Sequence, residues 1–231
     1  IAFSMFVPGD KPGFATPPKQ PEGAKWADPV KVIDDLTFRF DGAGYLEDGA
    51  DQVFVLPAEG GTPRQVTTGE ADMGGQAWLD NDTLLVTGNL ADDRDMDPIE
   101  SEIYSVELSN LQITPLTSRD GPDFAATPAP DGRSIAFLGY DDELKSYQQN
   151  HLYVMGPDGS GVRELLSGFP GSPGQIEWAP DGKSLFMLFE DHGVLTLNEL
   201  DLQGRLTQVV TGIGGTSIGR PYAGGSFSVA K

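Results

Sequence analysis

The sequence contains no cysteine, and only two of its 231 residues are histidine. Disulfides, thiolate metal sites and cysteine nucleophiles are therefore excluded. Basic residues are scarce as well. Fifteen Lys and Arg stand against 35 Asp and Glu, a formal net charge of −20. Phosphate binding needs clustered cations, so the charge disfavours nucleic acid and anionic membrane, and neither is expected as a partner. The acidity reads as a strongly solvated surface. No apolar run approaches the roughly 20 residues of a membrane span. Long segments of helical period are missing too. The chain opens Ile1-Ala2-Phe3 without Met, so the lack of a signal peptide carries no information and the compartment stays open.

What the chain has in plenty is glycine and proline, 30 and 18 residues. That is the composition of many short strands joined by tight turns. The stretch Gln175-Ile176-Glu177-Trp178-Ala179-Pro180-Asp181-Gly182-Lys183-Ser184-Leu185-Phe186-Met187-Leu188-Phe189 shows the plan. It reads as a strand, a turn and a second strand. Pro180 presets φ near −65°, Asp181 can bond back to the turn backbone, and Gly182 tolerates positive φ. Residues 185–189 are apolar at every position, which predicts a strand covered on both faces. The phrase returns at Pro130-Asp131-Gly132 and, worn, at Asp80-Asn81-Asp82; the spacings are 51 residues from Asp80 to Asp131 and 50 from Asp131 to Asp181. A near-fixed period outranks any local reading.

Each repeat yields about four short antiparallel strands. Residues 1–7 match residues 135–140, the strand that follows the Pro-Asp-Gly turn, so the chain is expected to begin in mid-repeat. Residues 8–29 read as a proline-rich loop, residues 31–40 as strand-like alternation, and residues 41–45 as a turn. Residues 226–231 match residues 175–180, a first strand. The expected fold is thus all-β: a partial β-propeller of about four blades of four antiparallel strands, cut in mid-blade at both ends. The blade equivalents are 1–69, 70–118, 119–168 and 169–212, with the first strand of a further blade in 213–231. The two ends are expected to stay apart in an arc, with unpaired strand edges open to oligomer formation. A β-sandwich would need half-solvated strands of period two, which residues 185–189 contradict, and it leaves the period unexplained.

Few residues offer chemistry. Gly215-Thr216-Ser217-Ile218-Gly219 spells a nucleophile elbow. An elbow needs a helix leaving the turn, and Arg220-Pro221-Tyr222-Ala223-Gly224-Gly225 cannot start one. No Asp, Glu or His follows Ser217 to complete a triad. His151 opens a third strand and His192 sits in a turn, neither with a second histidine at ligand spacing. Asp93-x-Asp95-x-Asp97 resembles the start of a calcium loop, but Pro98 replaces the required glycine and Tyr104 the bidentate glutamate. The sequon Asn81-Asp82-Thr83 falls in a turn. No catalytic, metal or cofactor residue is assigned, and any substrate-gating residue stays unknown.

Trp178-Ala179-Pro180-Asp181-Gly182 and Leu152-Tyr153-Val154-Met155-Gly156-Pro157-Asp158-Gly159-Ser160-Gly161 resemble the TolB-type propeller repeat. Phe38-Arg39-Phe40-Asp41-Gly42-Ala43-Gly44-Tyr45-Leu46, Gly139-Tyr140-Asp141-Asp142 and the stretch from Gly214 to Tyr222 are more specific. They resemble propellers of the prolyl oligopeptidase family of serine peptidases, nearest its acylaminoacyl-peptidase and dipeptidyl-peptidase-like bacterial branch. The resemblance implies a non-catalytic propeller that gates short peptide substrates for an α/β-hydrolase domain lying outside this chain. It leans towards export to the periplasm. The paired-glutamate motif of the dipeptidyl-peptidase branch has no recognisable counterpart here. A TolB-like interaction scaffold with no enzyme attached is the alternative; a propeller with its own channel active site would need convergent titratable groups.

Overall fold

The computed structural model describes residues 1–9, 18–27, 31–33, 35–215 and 224–230, and among these it contains strands and turns but no helix. Strand β1 (Ala2–Pro8) is followed by a separate two-stranded hairpin of β2 (Arg39–Phe40) and β3 (Gly44–Tyr45), then β4 (Gly49–Val55) and β5 (Arg64–Gln65). Sheet one has the order β1-β4-β5. Sheet two is β6 (Met73–Trp78), β7 (Thr83–Gly88), β8 (Glu102–Glu107) and β9 (Gln112–Pro115). Sheet three is β10 (Asp123–Pro128), β11 (Ile135–Gly139), β12 (His151–Met155) and β13 (Arg163–Glu164). Sheet four is β14 (Pro173–Trp178), β15 (Ser184–Asp191), β16 (Val194–Asp201) and β17 (Leu206–Gly215). Within each four-stranded sheet the strands pair antiparallel in chain order. This is the expected all-β, propeller-type architecture.

The middles of the second strands β7, β11 and β15 are apolar because each serves two interfaces. In β7, Leu84 and Val86 pack with Val53 and Val66 of sheet one, while Leu85 points the other way, into a cluster with Ile135 and Phe137 of sheet three. Sheets three and four meet through Leu138, Leu152, Ile176, Met187 and Trp178. At 25 cal/mol per Å2 of apolar area, full burial of such a side chain contributes about 1.5–3 kcal/mol. A slip of one residue in β7 would exchange the two faces.

The turns between first and second strands repeat atom for atom in sheets three and four. Ala179 N donates to Ser184 O (2.9 Å), Gly182 N to Ala179 O (2.9 Å) and Lys183 N to Asp181 Oδ1 (3.0 Å). Ala129, Gly132 and Arg133 make the same three bonds to Ser134, Ala129 and Asp131. Gly182 and Gly132 both have φ of 68°, in the left-handed region that a Cβ disfavours. Sheet two differs. Leu79 N reaches Thr83 O (3.0 Å), so its turn is one residue shorter and contains no glycine, which accounts for the spacing of 51 rather than 50.

Two expectations need correction. Alternation over residues 31–40 does not give a strand: only Arg39–Phe40 is one, paired with Gly44–Tyr45 in the hairpin. No sheet backs that segment, so Val32, Leu36 and Phe40 stay exposed and alternation has no buried face to serve. Residues 224–230 likewise form no ladder; Phe227 and Val229 are held by the side chains of Gln175 and Glu177. An innermost strand takes its ladder from the second strand of its own sheet, and none is present for it among the described residues. Among the described residues β1 has one strand neighbour, β4, and no ladder joins it to residues 224–230.

Candidate functional site

Antiparallel pairing in a fixed order sorts the connections to two ends. One end carries the turns just described together with the third-to-fourth hairpins. The other carries, among the described residues, the second-to-third connections (residues 18–27, 31–33, 35–48, 89–101, 140–150 and 192–193) and the links between sheets (66–72, 116–122 and 165–172). Long irregular connections belong where function is to be sought.

A groove of about 410 Å3 opens at this loop end, with Phe189 and Leu188 of β15 on one side and Tyr147 and Gln149 of the 140–150 loop on another. Phe169 meets Phe189 edge-to-face with centroids 4.8 Å apart and stiffens that wall. Glu190 brings a carboxylate to the rim. The hairpin β2–β3 rises from the 9–48 connection at the same end. Phe38 stacks on Tyr45 (6.2 Å) and Lys31 stands 4.5 Å over the Tyr45 ring.

Beside the groove, the joint between sheets two and three holds buried charge. Asp123, at the start of β10, is 1% exposed, and its Oδ1 stands 3.1 Å from Arg119 Nε. The N–H is not aimed at that oxygen, so the contact is an ion pair without a good hydrogen bond. The Arg119 guanidinium also lies 4.0 Å over the Tyr153 ring and 3.3 Å from Asp141. Burial works against the Arg119 charge, and Asp123, Tyr153 and Asp141 outweigh it. Burial pushes the Asp123 carboxyl up to about 6, opposed by Arg119. We take Asp123 to be ionised at neutral pH, because a guanidinium at 3.1 Å does not lose its proton. Equivalent positions in sheets two and four are Met73 and Pro173, paired with Gly88 and Phe189 as Asp123 is with Gly139. A Cβ added at Gly139 would run into the Asp123 carboxylate, so that glycine makes its room. Burial also pushes Glu102, opening β8, up to about 7, opposed by the Thr117 hydroxyl.

The residues singled out by sequence fall as follows. His151 Nδ1 lies 2.8 Å from Glu164 Oε1 and His192 Nδ1 2.5 Å from Asp191 Oδ1, each a local pairing. His192 sits in its turn with φ of 50°. Asp93, Asp95 and Asp97 lie in the 89–101 loop, where Asp93 O accepts from Met96 N (2.7 Å) and Asn89 Nδ2 donates to Asp97 O (2.8 Å). Among the described residues no three His or acidic side chains gather as a metal cluster. Asp82 N donates to Asp80 Oδ1 within the sequon's turn. Ser217 lies outside the described residues. The Arg119, Asp123, Glu102 and Tyr153 grouping was not singled out from sequence, although Asp123 departs visibly from Met73 and Pro173 once the repeats are aligned.

Residues 29–143 match the family described as the dipeptidyl peptidase IV N-terminal region. A stretch of 92 residues, 40% of this chain, is 25% identical to the Tol-Pal system protein TolB of Alcanivorax borkumensis and spans 20% of that protein. TolB from Acinetobacter baumannii superimposes with a TM-score of 0.55 at 19% identity, over 73% of this chain and 39% of that one. A puromycin hydrolase superimposes with a TM-score of 0.54 at 21% identity, over 68% of this chain and 27% of that one. The solved structures establish the propeller fold. The family match and the TolB relative uphold the resemblance to prolyl oligopeptidase-family propellers with TolB-like repeats. The chain spans about a fifth of its curated relative and under two fifths of these two solved chains.

Proposed function

We propose that this chain is a non-catalytic propeller segment that gates and selects short peptide substrates for an α/β-hydrolase domain of its parent polypeptide. The match of residues 29–143 to the dipeptidyl peptidase IV N-terminal region carries this reading. It takes in the hairpin β2–β3 and the 116–122 linker that carries Arg119. The gathering of groove, hairpin and acidic loops at one end supports it, since a gate needs its variable parts on the face it presents. In this reading the repeat boundaries 1–69, 70–118, 119–168 and 169–212 are blade boundaries, and the hydrolase domain sits over the loop end. The reaction's nucleophile and base belong to that domain.

The chain alone is expected to leave a chromogenic peptide uncleaved and a fluorophosphonate probe unattached, at Ser217 as elsewhere. Joined to the hydrolase domain of the same polypeptide, a variant with residues 36–46 replaced by a short Gly-Ser link should accept longer peptides. The kcat/KM ratio of long to short substrates is expected to rise about tenfold, or about 1.4 kcal/mol. Turnover by the isolated chain, abolished by mutating one of its own residues, would sink the proposal. The TolB relative favours a second reading, an interaction scaffold. A parent polypeptide without any hydrolase domain would decide for it.

A further inference from the structure

Sheets one and two share a residue pattern 50 residues apart, with glutamine in the first and glutamate in the second. In sheet one, Val53 N donates to Thr67 Oγ1 (2.8 Å), and the Thr67 hydroxyl donates to Gln52 Oε1 (2.8 Å). The Gln52 amide nitrogen then donates to two carbonyls of the linker, Gly69 O (3.2 Å) and Ala71 O (3.0 Å). Gln52 is 1% exposed and every polar atom of its side chain is satisfied. In sheet two, Ile103 N donates to Thr117 Oγ1 (2.9 Å), and the residue before Ile103 is Glu102. The correspondence Gln52–Thr67 to Glu102–Thr117 is an offset of 50 at both positions, and the linker carbonyls at the same offset are those of Arg119 and Gly121.

An ionised glutamate cannot do what the Gln52 nitrogen does. A carboxylate accepts only, while a protonated carboxyl has one O–H to donate. Glu102 Oε2 is buried and has no hydrogen-bond partner. We infer that Glu102 is held as an uncharged carboxylic acid whose O–H donates to the 119–121 linker, making the joint between sheets two and three proton-linked. Ionisation removes that donor and leaves a buried carboxylate oxygen without a partner. The linker it would release carries Arg119, which in turn holds Asp123, Asp141 and the Tyr153 ring. Alkaline pH therefore loosens the loop end from within.

The surroundings agree. Glu102 meets the Thr117 hydroxyl and the Arg119 backbone, which favour its charge, and Asp123 and Glu100, which oppose it. Glu100 itself faces Asp97, Asp120 and Asp93, and Tyr104 lies next along the strand. Burial is the largest influence, and the carboxyl is pushed up to about 7. The native state then holds the proton more tightly than the unfolded chain. The contribution is fully present below about pH 4.5 and is lost as pH rises through about 7. Asp123 acts in the same direction at lower pH, so the test compares variants rather than raw profiles.

Glu102→Gln restores the motif of sheet one. By denaturant unfolding between pH 4 and 8, wild type and E102Q should coincide near pH 4. At pH 8 the wild-type folding equilibrium should be weaker than that of E102Q by on the order of a hundredfold. Gln52→Glu should bring the same loss at high pH into sheet one. Parallel profiles for wild type and E102Q across pH 5–8 would overturn the inference. Should E102Q fail to fold, wild type labelled with 13C at the glutamate carboxyls decides alone: one signal titrating near neutral pH is expected, and its absence refutes the assignment.

Discussion

The two ends of the sheets hold together by different means. At the turn end, three first-to-second turns use an aspartate to bond the backbone, and two of them place a glycine in the left-handed region at the same φ. Trp178 closes that end of sheet four: its indole nitrogen donates to Thr127 O of sheet three (2.8 Å), 51 residues away. At the loop end repetition is partial: the bonds of Val53 to Thr67 and of Ile103 to Thr117 recur, and the residues around them differ. Position by position, Met73, Asp123 and Pro173 differ in chemistry, and so do Gln52 within β4, Glu102 opening β8 and His151 opening β12. Repetition marks what the fold needs. Divergence at equivalent positions marks where something other than folding has chosen the residue.

The sharpest way to break this contrast is at Trp178. Truncation to Ala removes a side chain only 6% exposed and leaves Thr127 O without its donor. A loss of roughly 3–5 kcal/mol is expected, measured by denaturant unfolding. A loss below about 1 kcal/mol would mean that the turn end is not the structural anchor.

Next comes Asp123. Asp123→Ala leaves Arg119 in the joint without its buried partner, and about 3 kcal/mol should be lost. The apolar pair Asp123→Met with Arg119→Met should recover most of it, because Met73 fills the equivalent place opposite Gly88 in sheet two. Recovery of stability would show that an apolar pair meets the packing demand at this joint. If the double variant is as unstable as the single one, the charge is structural and the contrast between the ends weakens.

What could be read in the sequence divides along the same line. The Pro-Asp-Gly turns and the covered strand at residues 185–189 follow from local chemistry and from the period, and the structure has them. The hairpin was misjudged because alternation over residues 31–40 signals a half-buried strand only when a sheet exists to bury it. The Arg119 joint escaped for a different reason. Its members come from a linker and two strands, and Tyr153 lies 34 residues beyond Arg119. Glu102 was in principle legible, since Gln52 and Thr67 precede Glu102 and Thr117 by one period. The sign of its importance, burial, depends on which strands flank it, and that is a property of the assembled sheets.

The smallest effect tests the turn end from within. Gly182 and Gly132 share φ of 68°, but their surroundings differ slightly: a Cβ at Gly182 would meet Pro130 Cδ at 3.8 Å, and one at Gly132 would meet nothing within 4 Å. The first distance is ordinary van der Waals contact, so neither site penalises a methyl group sterically. What remains is the left-handed backbone, which costs an L-residue about 1 kcal/mol, with a few tenths returned because alanine narrows the unfolded ensemble. Gly182→Ala and Gly132→Ala should therefore cost the same, somewhat under 1 kcal/mol each, in thermal or denaturant unfolding. Equal costs would establish that the two turns act as independent copies of one local device. A cost at Gly182 exceeding that at Gly132 by more than about 1 kcal/mol would mean that the sheet-four turn is clamped against Pro130, and that the turn end is a packed interface between sheets rather than a row of self-sufficient turns.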